Sequence, residues 1–376
     1  MFSTREHVYS LKKSLFSLVA FILFVLPFST AASSDHDDSE EFEPTEVIMH
    51  HIMDAHDWHI LDWDGHPVSI PLPVILYTNN GIVSFLSSEF HHDDAGTHVV
   101  TKGDQSFVKF HGKIYYSNEG HAHHGEGEHS VMVDLDEAGH PTNAMPLDFS
   151  ITKNAASLLM VFVLILIIFL GVAKSYKGSV GVPKKGLAKF IEPLVVFVRD
   201  DVALQNIGKK HYERFTPYLL TLFFFIWINN MVGLIPFFPG GANTTGNIAV
   251  TLVLAALTLI LMLFNGNKHW WGHMLWMPGV PVPVKILLAP IELVGILSKP
   301  FALMIRLFAN MTAGHIVILS LISLVFIFKT VLISPAAVGL TLFIFIIKVL
   351  VAFLQAYIFA LLTALFIGQA VEEPHH

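Results

Sequence analysis

Two stretches near the C-terminal end, 286–328 and 331–367, each stay predominantly apolar for about 40 residues. A helix rises about 1.5 Å per residue, so each would reach roughly 60 Å, twice the hydrocarbon thickness of a bilayer. Helices that long must tilt steeply, kink, or both. Pro290 and Pro300 offer kinks in the first, and Pro335 marks the start of the second. Three shorter apolar runs, 155–172, 215–237 and 248–264, have the length of single spans. With 53% hydrophobic and only 14% charged residues, the chain carries far more apolar surface than a water-soluble core of its size can hide. The expected fold is an all-α polytopic membrane protein, occupying 151–376. It has one N-terminal span, a surface helix at 190–214, a helical hairpin whose polar turn at 239–246 faces outside, and two long, tilted, antiparallel helices.

Charge divides the chain into two environments. Residues 33–150 hold 22 Asp and Glu against three Lys, and 15 of the 22 His, while the remainder is net positive. Ahead of this stretch, Arg5, Lys12 and Lys13 precede an apolar run at 15–28 that ends in Ser29, Thr30, Ala31 and Ala32. That is the layout of a cleavable secretory signal at 1–32. Residues 33–150 are therefore expected outside the cytoplasm, as an acidic, His-rich domain that is β-containing or partly disordered. Apolar stretches at 68–77 and 107–116, with Asn79, Asn80, Gly81, His111 and Gly112 as turns, read as short strands. After the first span, Lys174, Lys177, Lys184, Lys185 and Lys189 precede any acidic residue, which puts that loop in the cytoplasm. Five crossings then leave Glu372 and Glu373 in the cytoplasm, with Lys268, His269, Trp270, Trp271 and His273 in a loop between the hairpin and the long helices. The chain has no Cys, which excludes disulfides and thiolate metal sites.

Arg306 lies deep in the first long apolar stretch. A guanidinium at mid-membrane costs at least about 2.5–3.5 kcal/mol and does not shed its proton to escape. Between Glu213 and Glu372 the only acidic residue is Glu292, roughly 21 Å from Arg306 along a straight helix. The membrane part thus offers Arg306 no carboxylate in direct reach, and an acid on another chain is the expected partner. Glu292, Lys299, Arg306 and Asn310 follow at steps of 7, 7 and 4, on one helical stripe. On a soluble helix such a stripe is a solvated face; across a membrane it lines water or protein. His315 falls about 180° away from Arg306, so two polar regions flank a fixed positive charge. Lys348 and Gln355, seven apart, share a face of the second long helix, and His315 and Lys348 are expected close together. Asn229 and Asn230 interrupt the hairpin helix near its outer end. Each alone reads as helix packing; with His315 they read as the wall of an aqueous path from outside.

At these residues the chain resembles a known family. Leu297-Ser298-Lys299-Pro300, running into Arg306-Leu307-Phe308-Ala309-Asn310-Met311-Thr312-Ala313-Gly314-His315, is similar to the signature of the ATP synthase a subunits, as is Leu354-Gln355-Ala356-Tyr357-Ile358-Phe359. The similarity runs from about 151 to the end and takes in Pro290-Ile291-Glu292-Leu293 and 197–215. It implies a non-catalytic stator of the Fo sector, packed against a rotating ring of c subunits that each carry one mid-membrane carboxyl. Arg306 would face that ring. Ions, expected to be protons, would arrive by one aqueous half-channel and leave by another. Asn310, His315 and Gln355 match family positions of the outer half-channel and the centre, and Glu292 matches one on the cytoplasmic route. Lys348 completes the expected translocation set, with Asn229, Asn230 and Lys299 as further lining residues. The implied partners are the c ring, b-type peripheral stalk subunits and the other F1Fo subunits in a bacterial inner membrane, with no cofactor. Many bacterial members carry Glu where His315 stands and His where Lys348 stands, so the pair departs from the family pattern.

A divalent-metal transporter is the alternative, with His121, His123, His124 and His129 collecting metal outside. Against it, the membrane region has almost no acids and His315 as its one deep His. An intramembrane hydrolase would need a motif such as H-E-x-x-H, and the sequence contains none. The acidic exported segment is expected to concentrate cations near the outer entrance, or to serve assembly.

Overall fold

The computed structural model describes residues 52–63, 66–117, 131–136, 139–177, 186–235, 240–277, 279, 281–328 and 334–372. All lie within the compact unit Pro44–His376. The signal segment 1–32, the acidic run at 35–46, His121, His123, His124, His129, Lys184, Lys185 and Glu373 fall outside the described residues.

The N-terminal described part is a β-segment of three small antiparallel sheets. β1 (Asp57–Trp63) pairs with β2 (His66–Pro71). β3 (Pro73–Thr78) lies between β4 (Gly81–Leu86) and the short β8 (Leu147–Asp148). β5 (Ala95–Lys102), β6 (Gln105–Phe110) and β7 (Lys113–Tyr116) form a meander. The expected turns fall where the sequence put them. Asn79 and Asn80 join β3 to β4, and His111-Gly112 joins β6 to β7 with φ of 47° and 75°. Two successive positive φ values match the right-handed strand twist, which is why glycine stands second. Alternate positions of β3, Val74 and Leu76, are fully buried and pack with Phe85, Phe90, Val100, Phe107 and Ile114.

β8 runs straight into the first helix. Phe149 N–H donates to Ile75 O at 2.9 Å and Ile151 N–H to Pro73 O at 3.0 Å, extending the pairing to β3. Thr152 then caps α1 (Lys153–Tyr176), Lys153 N–H donates to Ala55 O at 2.8 Å, and Asn154 N–H donates to the Asp54 carboxylate at 3.0 Å.

The longer helices that follow among the described residues are α2 (Leu187–Phe197), α3 (Tyr212–Gly233), α4 (Ile248–Asn265), α5 (Lys268–Leu275), α6 (Val282–Phe328) and α7 (Ser334–Val371). Among the described residues, α1, α3, α4, α6 and α7 are long and apolar enough to cross a membrane. α6 continues through Pro290 and Pro300. The helical core centres on α3, whose Leu219, Phe223, Phe224 and Ile226 are fully buried. α7 packs chiefly against it. Ala352, Ala356, Ala360 and Ala364 recur at four-residue steps along α7 and are all buried, and such small side chains let two helices approach closely. Gly368 carries this further: a Cβ there would collide with the backbone carbonyl of Asn206.

Three regions differ from the sequence reading. The stretch at 190–214 is not one helix. α2 passes into a π-helical segment, Val198–Leu204, then three α-helical residues, Gln205–Ile207, and Gly208 (φ 86°) breaks the chain before α3. The wider π turn lets Val198, Val202 and Ala203 all face the core while Arg199 and Asp201 stay exposed. The loop around Trp270 is the short helix α5, with Trp270 buried. The hairpin turn, read as polar and facing outside, is also tucked among the helices: Asn243, Thr244 and Thr245 are buried. One of its polar groups is met by a neighbouring helix: the Thr245 hydroxyl donates to Asn230 Oδ1 at 2.6 Å.

Candidate functional site

Arg306 lies within α6 on an exposed face. Among the described residues it makes no hydrogen bond and no ion pair. Ala302, Ala309 and Ala313, at helical spacing from it, are exposed too, so the guanidinium stands on a track of small side chains flanked by exposed Phe301 and Ile305. A permanent cation on the outer wall of a membrane helix must be met by a group from elsewhere, since lipid offers it nothing.

The opposite side of α6 is packed inward, apolar at Leu303, Leu307 and Met311 and polar around Thr312 and His315. A Cβ on Gly233, at the end of α3, would stand 3.0 Å from Ala242 O and 4.0 Å from His315 Nε2, so the imidazole reaches the end of α3 where the hairpin turn also packs. Thr312 Oγ1 donates to Gly246 O at 3.3 Å beside it. Around this point several buried atoms lack a hydrogen-bond partner among the described residues: His315 Nε2, Asn229 Oδ1, Asn230 Nδ2 and both side-chain polar atoms of Asn243. An unmet buried polar atom costs about 1–3 kcal/mol, and water is the usual remedy. So many in one place make this the point in the helical region where buried water would be held.

Lys348 of α7 closes this region from the other side. Its Nζ donates to Asn310 O at 3.1 Å, and its side chain lies where a Cβ on Gly314 would be. His315 is within electrostatic reach of Lys348 and also of Lys153 at the start of α1. The expected proximity of His315 and Lys348 is thus present. Gln355 is buried further along α7. Lys299, earlier on α6, donates to Gln369 Oε1 at 3.0 Å and lies 5.4 Å from the Phe366 ring centroid, while Glu292 is half-buried on the same helix. Arg306 therefore separates the His315–Lys348 region from the Lys299–Gln369 contact along α6. Asn243, Lys153 and Gln369 were not singled out by sequence. Asn243 sits in a turn that composition marks as solvated, and the other two gain meaning from residues distant in the chain.

Membrane-length helices that bury amides and an imidazole among themselves, and leave Arg306 exposed on the outside, define a multi-pass helical membrane protein. Residues 156–368 match the family described as ATP synthase A chain. The chain belongs to that family, a membrane component of the machinery of ATP synthesis. Residues 47–149 match a separate domain of unknown function. "ATP synthase subunit a" of Chloroherpeton thalassium is 47% identical over 233 residues, covering 61% of this chain and 69% of that protein. The protein of the same name from Chlorobium phaeobacteroides is 38% identical over 327 residues, covering 82% and 93%. That of Anaeromyxobacter dehalogenans is 41% identical over 238 residues, covering 61% and 60%. None of this favours the divalent-metal transporter.

Proposed function

We propose that this chain is the ion-translocating stator of the Fo sector of a bacterial ATP synthase, multi-pass in the inner membrane, with 33–150 outside, the C-terminal end in the cytoplasm and protons as the coupling ion. The observation that carries the reading is the bare guanidinium of Arg306 on a track of alanines. Small side chains let another helix approach, and the charge has no counterpart among the described residues. A ring of c subunits, each offering one mid-membrane carboxyl, meets both requirements. As a carboxyl arrives at Arg306, the fixed positive charge favours its ionised form, so the proton is released on one side and rebound on the other. His315, Asn310, Asn229, Asn230, Lys348 and Gln355 line the outer half-channel and centre, and Glu292 and Lys299 the cytoplasmic one. The positive barrier between them prevents a direct leak, so ions cross by riding the ring. b-type stalk subunits hold the stator still.

The chain lacks cysteine, so Ala302→Cys places one thiol beside Arg306. A disulfide to a cysteine next to the acidic residue of the c subunit, formed in native membranes, is expected. Cross-links to lipid-facing positions of the ring alone, or none in an assembled complex, would overturn the placement of Arg306.

A further inference from the structure

The junction of the β-segment with α1 contains buried polar groups that helix packing does not use. His56 is 4% exposed, with Nε2 2.7 Å from Asp148 Oδ2, and its Nδ1 is buried without a partner among the described residues. Asn154, 5% exposed on the first turn of α1, has Oδ1 in the same condition. Between them lies Asp54, whose Oδ1 accepts from Asn154 N–H at 3.0 Å and Ala55 N–H at 3.1 Å. Lys153, also buried, interacts electrostatically with Asp54 and Asp57 on one side and with His315 on the other. Asp57 is shared with Lys109 Nζ at 3.7 Å and His92 Nδ1 at 3.6 Å, whereas Asp54 is bonded directly to the first turn of α1. The hairpin turn that holds Asn243 touches α1 and α6.

These groups connect the base of the β-segment to the hydrated region around His315. A buried imidazole nitrogen and a buried amide oxygen, both unmet, call for water, and the acidic residues around them draw cations toward it. Resting on the function proposed above, we infer that the outer inlet of the ion pathway opens at the seam between the β-segment and α1, with His56, Asp54 and Asn154 as its walls. The β-segment is then part of the conducting route rather than an appendage to it. Asp148, one-third exposed, stands where the seam meets outside water.

The test uses native membranes from which the catalytic sector has been stripped and the membrane sector left assembled, reading passive proton conduction per assembled membrane sector. Asn154→Cys and, separately, His56→Cys each place one thiol in the seam of a chain that otherwise has none. A small methanethiosulfonate added from outside is expected to label both thiols and to cut conduction several-fold, while leaving the cysteine-free parent unaffected. Labelling with undiminished conduction, or a thiol in an assembled complex that the reagent does not reach, would overturn the inlet. Should one variant fail to assemble, the other decides. A parent that conducts no protons would overturn the stator reading and the inlet with it; a conducting parent with insensitive variants overturns the inlet alone.

Discussion

Lys348 extends its ammonium across the Cα of Gly314 to donate to the backbone carbonyl of Asn310 at 3.1 Å. The glycine is required by the lysine. Gly314→Ala drives a methyl into the Lys348 side chain, and overpacking of this kind costs about 1–3 kcal/mol. The purified complex is expected to melt at a lower temperature. In Lys348→Ala the space is free, so adding Gly314→Ala to it should cost much less than in the parent. Additive costs would contradict this contact.

Arg306→Ala is expected to leave the complex assembled and ATP synthesis at background, with increased proton leak as the barrier between the half-channels disappears. Arg306→Lys should fail as well, because an ammonium lacks the planar fork and loses its proton more readily when desolvated. Synthesis per assembled complex in membrane vesicles checks both. A structural arginine would instead lower the amount of complex and leave synthesis per complex near normal.

His315→Ala removes the imidazole beside Gly233 at the end of α3. ATP-driven proton pumping per assembled complex should fall several-fold while subunit levels persist. Unchanged pumping would remove His315 from the path.

Asp148 makes the β-segment acid-sensitive. Burial pushes its carboxyl up, but hydrogen bonds from His56 and Ser150 outweigh this and hold it below its ordinary 3.8. A depressed carboxyl contributes stability that is complete above the unfolded value and disappears as pH falls through the lower native one. Protection of the Phe149 and Ile151 amides against hydrogen exchange should therefore drop on acidification below about pH 4. Asp148→Asn should start with weaker protection and show no such drop.

The five membrane-length helices among the described residues were legible because each is written as an apolar run long enough to span, and the β-turns because asparagine and glycine favour turns, with Gly81 and Gly112 at positive φ. The enclosed site was less so. Asn243 and Thr245 lie in a turn whose composition matches a solvated loop, and burial came from packing against α3 and α6, which no local pattern encodes. The π-helical segment escaped for a related reason: a one-residue change of step shows only when Val198, Val202 and Ala203 are seen facing one core. His56, Asp54 and Lys153 acquire a role by converging from separate parts of the chain.

Between β8 and α1 there are only residues 149–152, and two of their amides are already bonded to β3. No slack remains there for a hinge. The β-segment behaves like a mast stepped directly onto the first span, and a sideways pull on it is delivered to α1 as torque rather than absorbed by loose chain.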